Sequence, residues 1–240
     1  MPDESGDYNF SVAKLLQITH QGEKMKEICL ISVLCFILTA ANSEIPTFRF
    51  VVVGDRTGSS VENVFDEIIE EVKLLQPDFV INVGDLIHGY EEDTMVINAQ
   101  WDTILNIIKK LPGKFYFTPG NHDIQNNTDR EIFKKRTGFN RYYAFNYKNS
   151  HFIVLDNSMT QWVFPQPIDS IQFDWLKADL EKNKGTENIF VFFHVPAFLD
   201  AFRTNASEPL SELIEKYNVR VVFTGHIHSY LYLARGATDY

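Results

Sequence analysis

The chain repeats one arrangement five times: a short run of β-branched or aromatic residues stops at a side chain able to hold a metal ion. "FRFVVV" (48–53) runs into Gly54 and Asp55, and "DFVINV" (78–83) into Gly84 and Asp85. "KFYFTP" (114–119) is followed by Gly120, Asn121, His122 and Asp123, "NIFVFF" (188–193) by His194, and "VRVVFT" (219–224) by Gly225, His226, Ile227 and His228. Runs of this length and composition read as strands. Between them, residues 61–75, 99–111, 170–183 and 210–217 carry apolar side chains at helical spacing, while 141–147 and 151–156, separated by "KNS", read as a hairpin. Strands alternating with helices, broken by one hairpin, predict a layered α/β fold with a mixed sheet.

In open α/β sheets the carboxyl ends of the strands rim the binding crevice. Asp55, Asp85, Asn121, His122, His194, His226 and His228 are therefore expected to converge, although they are spread over about 170 residues of sequence. Glycine just before a ligand permits a sharp turn and a close approach of backbone. The donors are oxygens and imidazoles, which suit hard-to-borderline ions such as Mn, Fe or Zn. Any one of these residues has an ordinary explanation as a turn, a cap or a core histidine. Five at equivalent strand ends do not.

Charge and cysteine usage narrow the function classes. A formal charge of −10 over 240 residues gives no electrostatic footprint for nucleic acid. Both cysteines, Cys29 and Cys35, lie in the apolar stretch 28–41, preceded by Lys24 and Lys26 and followed by Ala40, Ala41 and Ser43. Its 14 residues are too few for a spanning helix, which needs ~20, and the flanks are those of a secretory signal peptide over 25–43. Residues 1–24 then read as an unstructured extension or a mis-called start before Met25, with the folded domain at 44–240. Loss of 1–43 removes five acidic and three basic residues, leaving a charge of −8 and no cysteine. The expected product is secreted or periplasmic, without a stable membrane span.

The ordered set "GD", "GD", "GNHD", a lone His after a strand and "GHIH" resembles the calcineurin-like metallophosphoesterases from about Phe48 to His228. The resemblance implies a two-sheet β-sandwich flanked by helices, in αββα order. It implies two metal ions, divalent or trivalent, bridged by Asp85. Asn121, His194 and His226 complete one ion, and Asp55 and His228 serve the other. The implied substrate is a phosphoester, cleaved by a metal-activated hydroxide with His122 as acid, Asp123 orienting the His122 ring, and Arg56 and Asn121 contacting substrate. The family's first motif carries a His two residues after its Asp; here that place is Thr57, within "GDRTG", a form shared by a subgroup. The second ion is accordingly expected to bind weakly. Thr57 also raises the alternative of a catalytically silent metal-binding or interaction protein, against which the non-ligand His122 argues. Relatives usually continue with further strands, whereas 12 residues follow His228 here, reading as one strand entering a turn.

Other residues have simpler readings. His88 is expected on the surface or behind the ligands, His151 in a strand at the core or its edge, and Trp101 and Trp175 as core anchors. Trp162 and Phe164 lie in the loop 157–169; a second loop spans 196–208. Asn126 and Asn205 head glycosylation sequons. "GDRTGSS" has the glycine pattern of neither a dinucleotide site nor a P-loop.

Overall fold

The computed structural model describes residues 47–58, 61, 63–159, 168–196, 198–199 and 208–240, and its fold occupies one compact unit, Phe48–Tyr240. The leader assignment at 1–43, both cysteines, Trp162, Phe164 and Asn205 lie outside these residues. No described helix is long and apolar enough to cross a membrane.

Two sheets form. In the first, β1 (Phe50–Val53), β2 (Phe79–Asn82) and β3 (Lys114–Tyr116) run parallel in that order. The second has six strands in the order β4 (Tyr143–Tyr147), β5 (Ser150–Val154), β6 (Asn188–Phe192), β7 (Val221–Phe223), β9 (Thr238–Asp239) and β8 (Ala234–Arg235). The β4–β5 hairpin is antiparallel, as is β8–β9, and the other pairs are parallel.

The period-2 geometry of a strand sorts the side chains into layers. Phe50 and Val52 of β1, Phe79 and Ile81 of β2, and Tyr116 of β3 face Phe145, Phe152, Val154, Phe190, Phe192 and Phe223 of the second sheet. That middle layer is largely aromatic. Tyr116 stacks on Phe145 at 3.7 Å and Phe50 meets Phe152 edge-on at 5.4 Å. The alternate residues Val51, Val53, Val80, Phe115 and Phe117 face outward. They are covered by α1 (Val64–Leu74), α2 (Thr94–Ile108) and α3 (Asn127–Thr137), with Trp101 fully buried. Ile153, Leu155, Ile189, Val191 and Val222 are covered in the same way by α4 (Ser170–Asn183) and α5 (Pro209–Lys216). The order is helix, sheet, sheet, helix.

Three elements differ from expectation. Helix α2 starts at Thr94 rather than 99, because Asp93 caps it by accepting from the Met95 amide at 2.8 Å. Helix α3 is absent from the sequence-based pattern: it is charged on most faces and buries chiefly Ile132 and Phe133, with Asn126 accepting from the Asp129 amide and Gly138 closing its end. The last residues form a short hairpin, β8 and β9, rather than one strand, since the Thr238 hydroxyl and Asp239 amide reach back to Val219 and Arg220. Of the side residues, His151 is buried in β5 between Asn146 (2.5 Å) and Asp179 (2.6 Å), and Trp175 packs on Tyr142.

Candidate metal centre

The five strand ends meet. Asp55, Asp85 and Asn121 come from the loops after β1, β2 and β3, and His194, His226 and His228 from those after β6 and β7. Two sets of ligand atoms, each mutually within 4.8 Å, are formed by Asp85, His194 and His226 and by Asp55, Asp85 and His228. Asp85 belongs to both. Asn121 joins the first set: its Oδ1 lies 3.0 Å from His194 Nε2 and 2.9 Å from His226 Nδ1.

Local backbone explains how these side chains fit. Asp55, Asp85, His226 and His228 all adopt left-handed φ values between 46° and 71°, a conformation that costs a non-glycine residue of order 1–3 kcal/mol and clusters at functional sites. Glycines make room for them. A Cβ on Gly84 would sit 2.5 Å from His194 Nδ1, and one on Gly120 would overlap Asp85 Oδ1.

Hydrogen bonds fix each donor. His194 Nδ1 contacts the Val83 carbonyl at 2.7 Å, which leaves Nε2 facing Asp85 Oδ2 at 3.0 Å. Asp85 Oδ1 accepts from the His122 amide and Asp55 Oδ1 from the His226 amide, both at 2.9 Å. Burial works against ionising Asp85, but His194 and the His122 amide outweigh it and hold the carboxyl below its ordinary value. Burial likewise lowers His194, yet Asp85 and then Asp55 hold that imidazole above its ordinary value. His226 is pushed down by burial and by the neighbouring His194. Two carboxylates, a carboxamide and three imidazoles, with no thiol, form a donor set that fits a pair of hard-to-borderline cations.

Thr57 is fully buried, and both its amide and its hydroxyl donate to the Asp85 carbonyl at 3.2 Å. It braces the loop that carries Asp85. His122 stands beside the donor sets, its Nε2 4.0 Å from Asp85 Oδ2 and its Nδ1 2.7 Å from the His88 carbonyl. The orienting role expected for Asp123 is not what the structure has. Both Asp123 oxygens are taken by backbone, accepting from the amides of Leu86, Ile87 and Gly120. Burial, then the charge of Asp85, pushes its carboxyl up to about 7. Asp123 pins the two loops together, and the ring of His122 is held by a main-chain carbonyl instead.

Arg56 donates to the Leu86 carbonyl at 3.2 Å and lines a cavity of about 520 Å³ shared with Asp55, His88 and the start of α1. The His88 side chain is exposed, as expected. Sequence reasoning missed Asn157 and Tyr90. Asn157, in the loop after β5, accepts from the amides of His194 and Val195 and so supports the loop that carries His194; "LDNS" after that strand was the available signal. Tyr90 accepts from Asn121 Nδ2 at 2.9 Å, and nothing in the sequence marked it.

The calcineurin-like phosphoesterase family model matches residues 48–230. Among curated proteins, the chain is 30% identical to purple acid phosphatase 18 of Arabidopsis thaliana over 153 residues, covering 55% of this chain and 34% of that one. It is 25% identical over 193 residues to the serine/threonine-protein phosphatase CPPED1 of Mus musculus, covering 73% and 61% respectively. The chain thus spans about a third to three-fifths of the length of these relatives. A solved dimetal phosphatase from Danio rerio superposes with a TM-score of 0.62 at 14% identity, over 81% of this chain and 86% of that one. TT1561 of Thermus thermophilus does so with a TM-score of 0.56 at 12% identity, over 80% and 88%. Both likenesses are of fold.

Proposed function

Since the chain belongs to the calcineurin-like phosphoesterase family, we propose that it is a metal-dependent phosphoester hydrolase working at the strand-end cluster. The observation that carries the reading is the pair of donor sets sharing Asp85. Asn121, His194 and His226 would hold one cation with Asp85; Asp55 and His228 would hold the other with it. When bound, such ions supply positive charge to the phosphoryl oxygens and make water more acidic. With Thr57 turned to the Asp85 carbonyl, the second cation would be held by three protein ligands, Asp55, Asp85 and His228, and would be the more weakly bound of the two.

The chain's own groups supply the rest. His122 is not a member of either donor set, and its Nδ1 contact with the His88 carbonyl makes Nδ1 the protonated nitrogen of the neutral ring. As the imidazolium the ring also carries a proton on Nε2, which faces the cluster; that proton is placed to pass to the leaving oxygen, leaving the neutral ring protonated at Nδ1. Arg56, on the wall of the cavity beside Asp55, offers paired donors to a substrate phosphate. Export rests on the sequence of residues 25–43, and N-terminal sequencing of secreted protein would locate the cleavage expected near Glu44.

The test is metal-dependent release from p-nitrophenyl phosphate or its bis ester, with wild type and His122→Ala compared. Turnover should fall about 10²–10⁴-fold in the variant at unchanged metal content. Two bound ions with no turnover of any phosphoester would favour a silent scaffold. Equal loss of metal and activity in the variant would remove His122 from its role.

A further inference from the structure

We propose that Tyr90 is a positioning residue for the metal centre, its hydroxyl holding the Asn121 amide so that the carbonyl oxygen faces His194 and His226. The inference rests on the phosphoesterase reading and extends it to a residue outside the five strand-end motifs.

Only the oxygen end of a carboxamide has lone pairs for a cation; the amine end offers donors alone. In the structure Asn121 Oδ1 points at His194 Nε2 (3.0 Å) and His226 Nδ1 (2.9 Å). The amine therefore needs an acceptor on the other side, and the Tyr90 hydroxyl oxygen is that acceptor at 2.9 Å. Partners behind a metal ligand set its orientation and basicity.

The backbone around Tyr90 shows how firmly the contact is held. Gly89 and Tyr90 both have left-handed φ, 60° and 54°, which a bulky residue such as tyrosine rarely adopts. The turn is seated directly on the ligand loop: a Cβ on Gly89 would overlap the His122 carbonyl oxygen. The Gly89 amide ties the turn to α2 through Gln100 Oε1 at 2.9 Å. The Tyr90 ring meets the His122 ring edge-on at 4.8 Å, yet Tyr90 stays 58% exposed. Burial does not account for a tyrosine kept in this backbone conformation; its two contacts with Asn121 and His122 do.

Tyr90→Phe removes the hydroxyl and keeps the ring. Full-length wild type and variant, stripped of metal, are titrated with Mn(II) by calorimetry and with Co(II) by visible absorption. Wild type should take up two ions. In Tyr90→Phe one of the two affinities should weaken by about 10-fold or more, with the Co(II) spectrum altered and the melting temperature of the metal-free protein unchanged. Tyr90→Ala should show the same loss of metal affinity. Two affinities in Tyr90→Phe within about twofold of wild type, or a loss matched by a lower metal-free melting temperature, would overturn the role of Tyr90 alone. Wild type that binds no metal would overturn it together with the phosphoesterase reading.

Discussion

Thr57→Val separates a ligand from a brace. The side chain is fully buried and its hydroxyl donates to the Asp85 carbonyl at 3.2 Å, an acceptor that the Thr57 amide also reaches at 3.2 Å. Valine has the same branched shape, so no cavity opens, and the carbonyl keeps its main-chain partner. What is lost is one long, neutral hydrogen bond, a net contribution of about 0.5–1.5 kcal/mol. For a domain of this size that corresponds to a melting shift of about 2–4 °C per kcal/mol. Metal uptake should be untouched, because the hydroxyl is committed to the main chain. The assays are thermal unfolding of metal-free protein and metal analysis after reconstitution. A variant that melts with wild type but carries one ion fewer would refute the reasoning and make Thr57 a ligand.

Other outcomes follow from the same geometry. Asp55→Asn should leave one ion bound and Asp85→Asn neither, since only Asp85 serves both donor sets; metal content per chain measures this. For pH, the raised His194 imidazole stabilises the metal-free fold below its unfolded value and loses that contribution as pH rises through its folded value. The lowered Asp85 carboxyl contributes above its unfolded value and loses that contribution as pH falls through its folded value. Metal must displace the His194 proton, so Mn(II) affinity should drop from pH 8 to about pH 6 while the His194 contribution to metal-free stability grows. Calorimetric titrations at the two pH values, beside melting curves of metal-free protein, would check both signs. Phe152→Ala, at a fully buried position in contact with Phe50, Phe79, Phe145 and Phe190, should cost about 3–5 kcal/mol in urea denaturation.

The element pattern alone predicts a layered α/β fold with a mixed sheet, and the two-sheet sandwich comes with the family resemblance; the strand ends that converge were legible because each rests on side-chain identity at a fixed position. Phe50, Phe79 and Phe152 each stand between smaller residues along their strands, and each motif sits where its strand stops. The remainder rests on main chain or on weak periodicity. The carbonyl of His88 holds the His122 ring, a function any residue type could fill at that place. The amides that occupy Asp123 are equally anonymous in sequence, so sequence alone ties its acid to the neighbouring imidazole. Helix α3 has too few apolar residues to show a stripe, although Asn126 and Gly138 at its ends were conventional cap signals.

Every oxygen donor of the cluster comes from the three-stranded sheet and every imidazole from the six-stranded one, so each cation would bridge the two halves of the sandwich. A nascent chain on the ribosome would carry its acids and amide long before it carried a single ligand histidine. The first donor set would be complete only once His226 has emerged, and the second only once His228 has. A polypeptide halted between His194 and His226 would hold Asp55, Asp85, Asn121 and His194 but complete neither donor set.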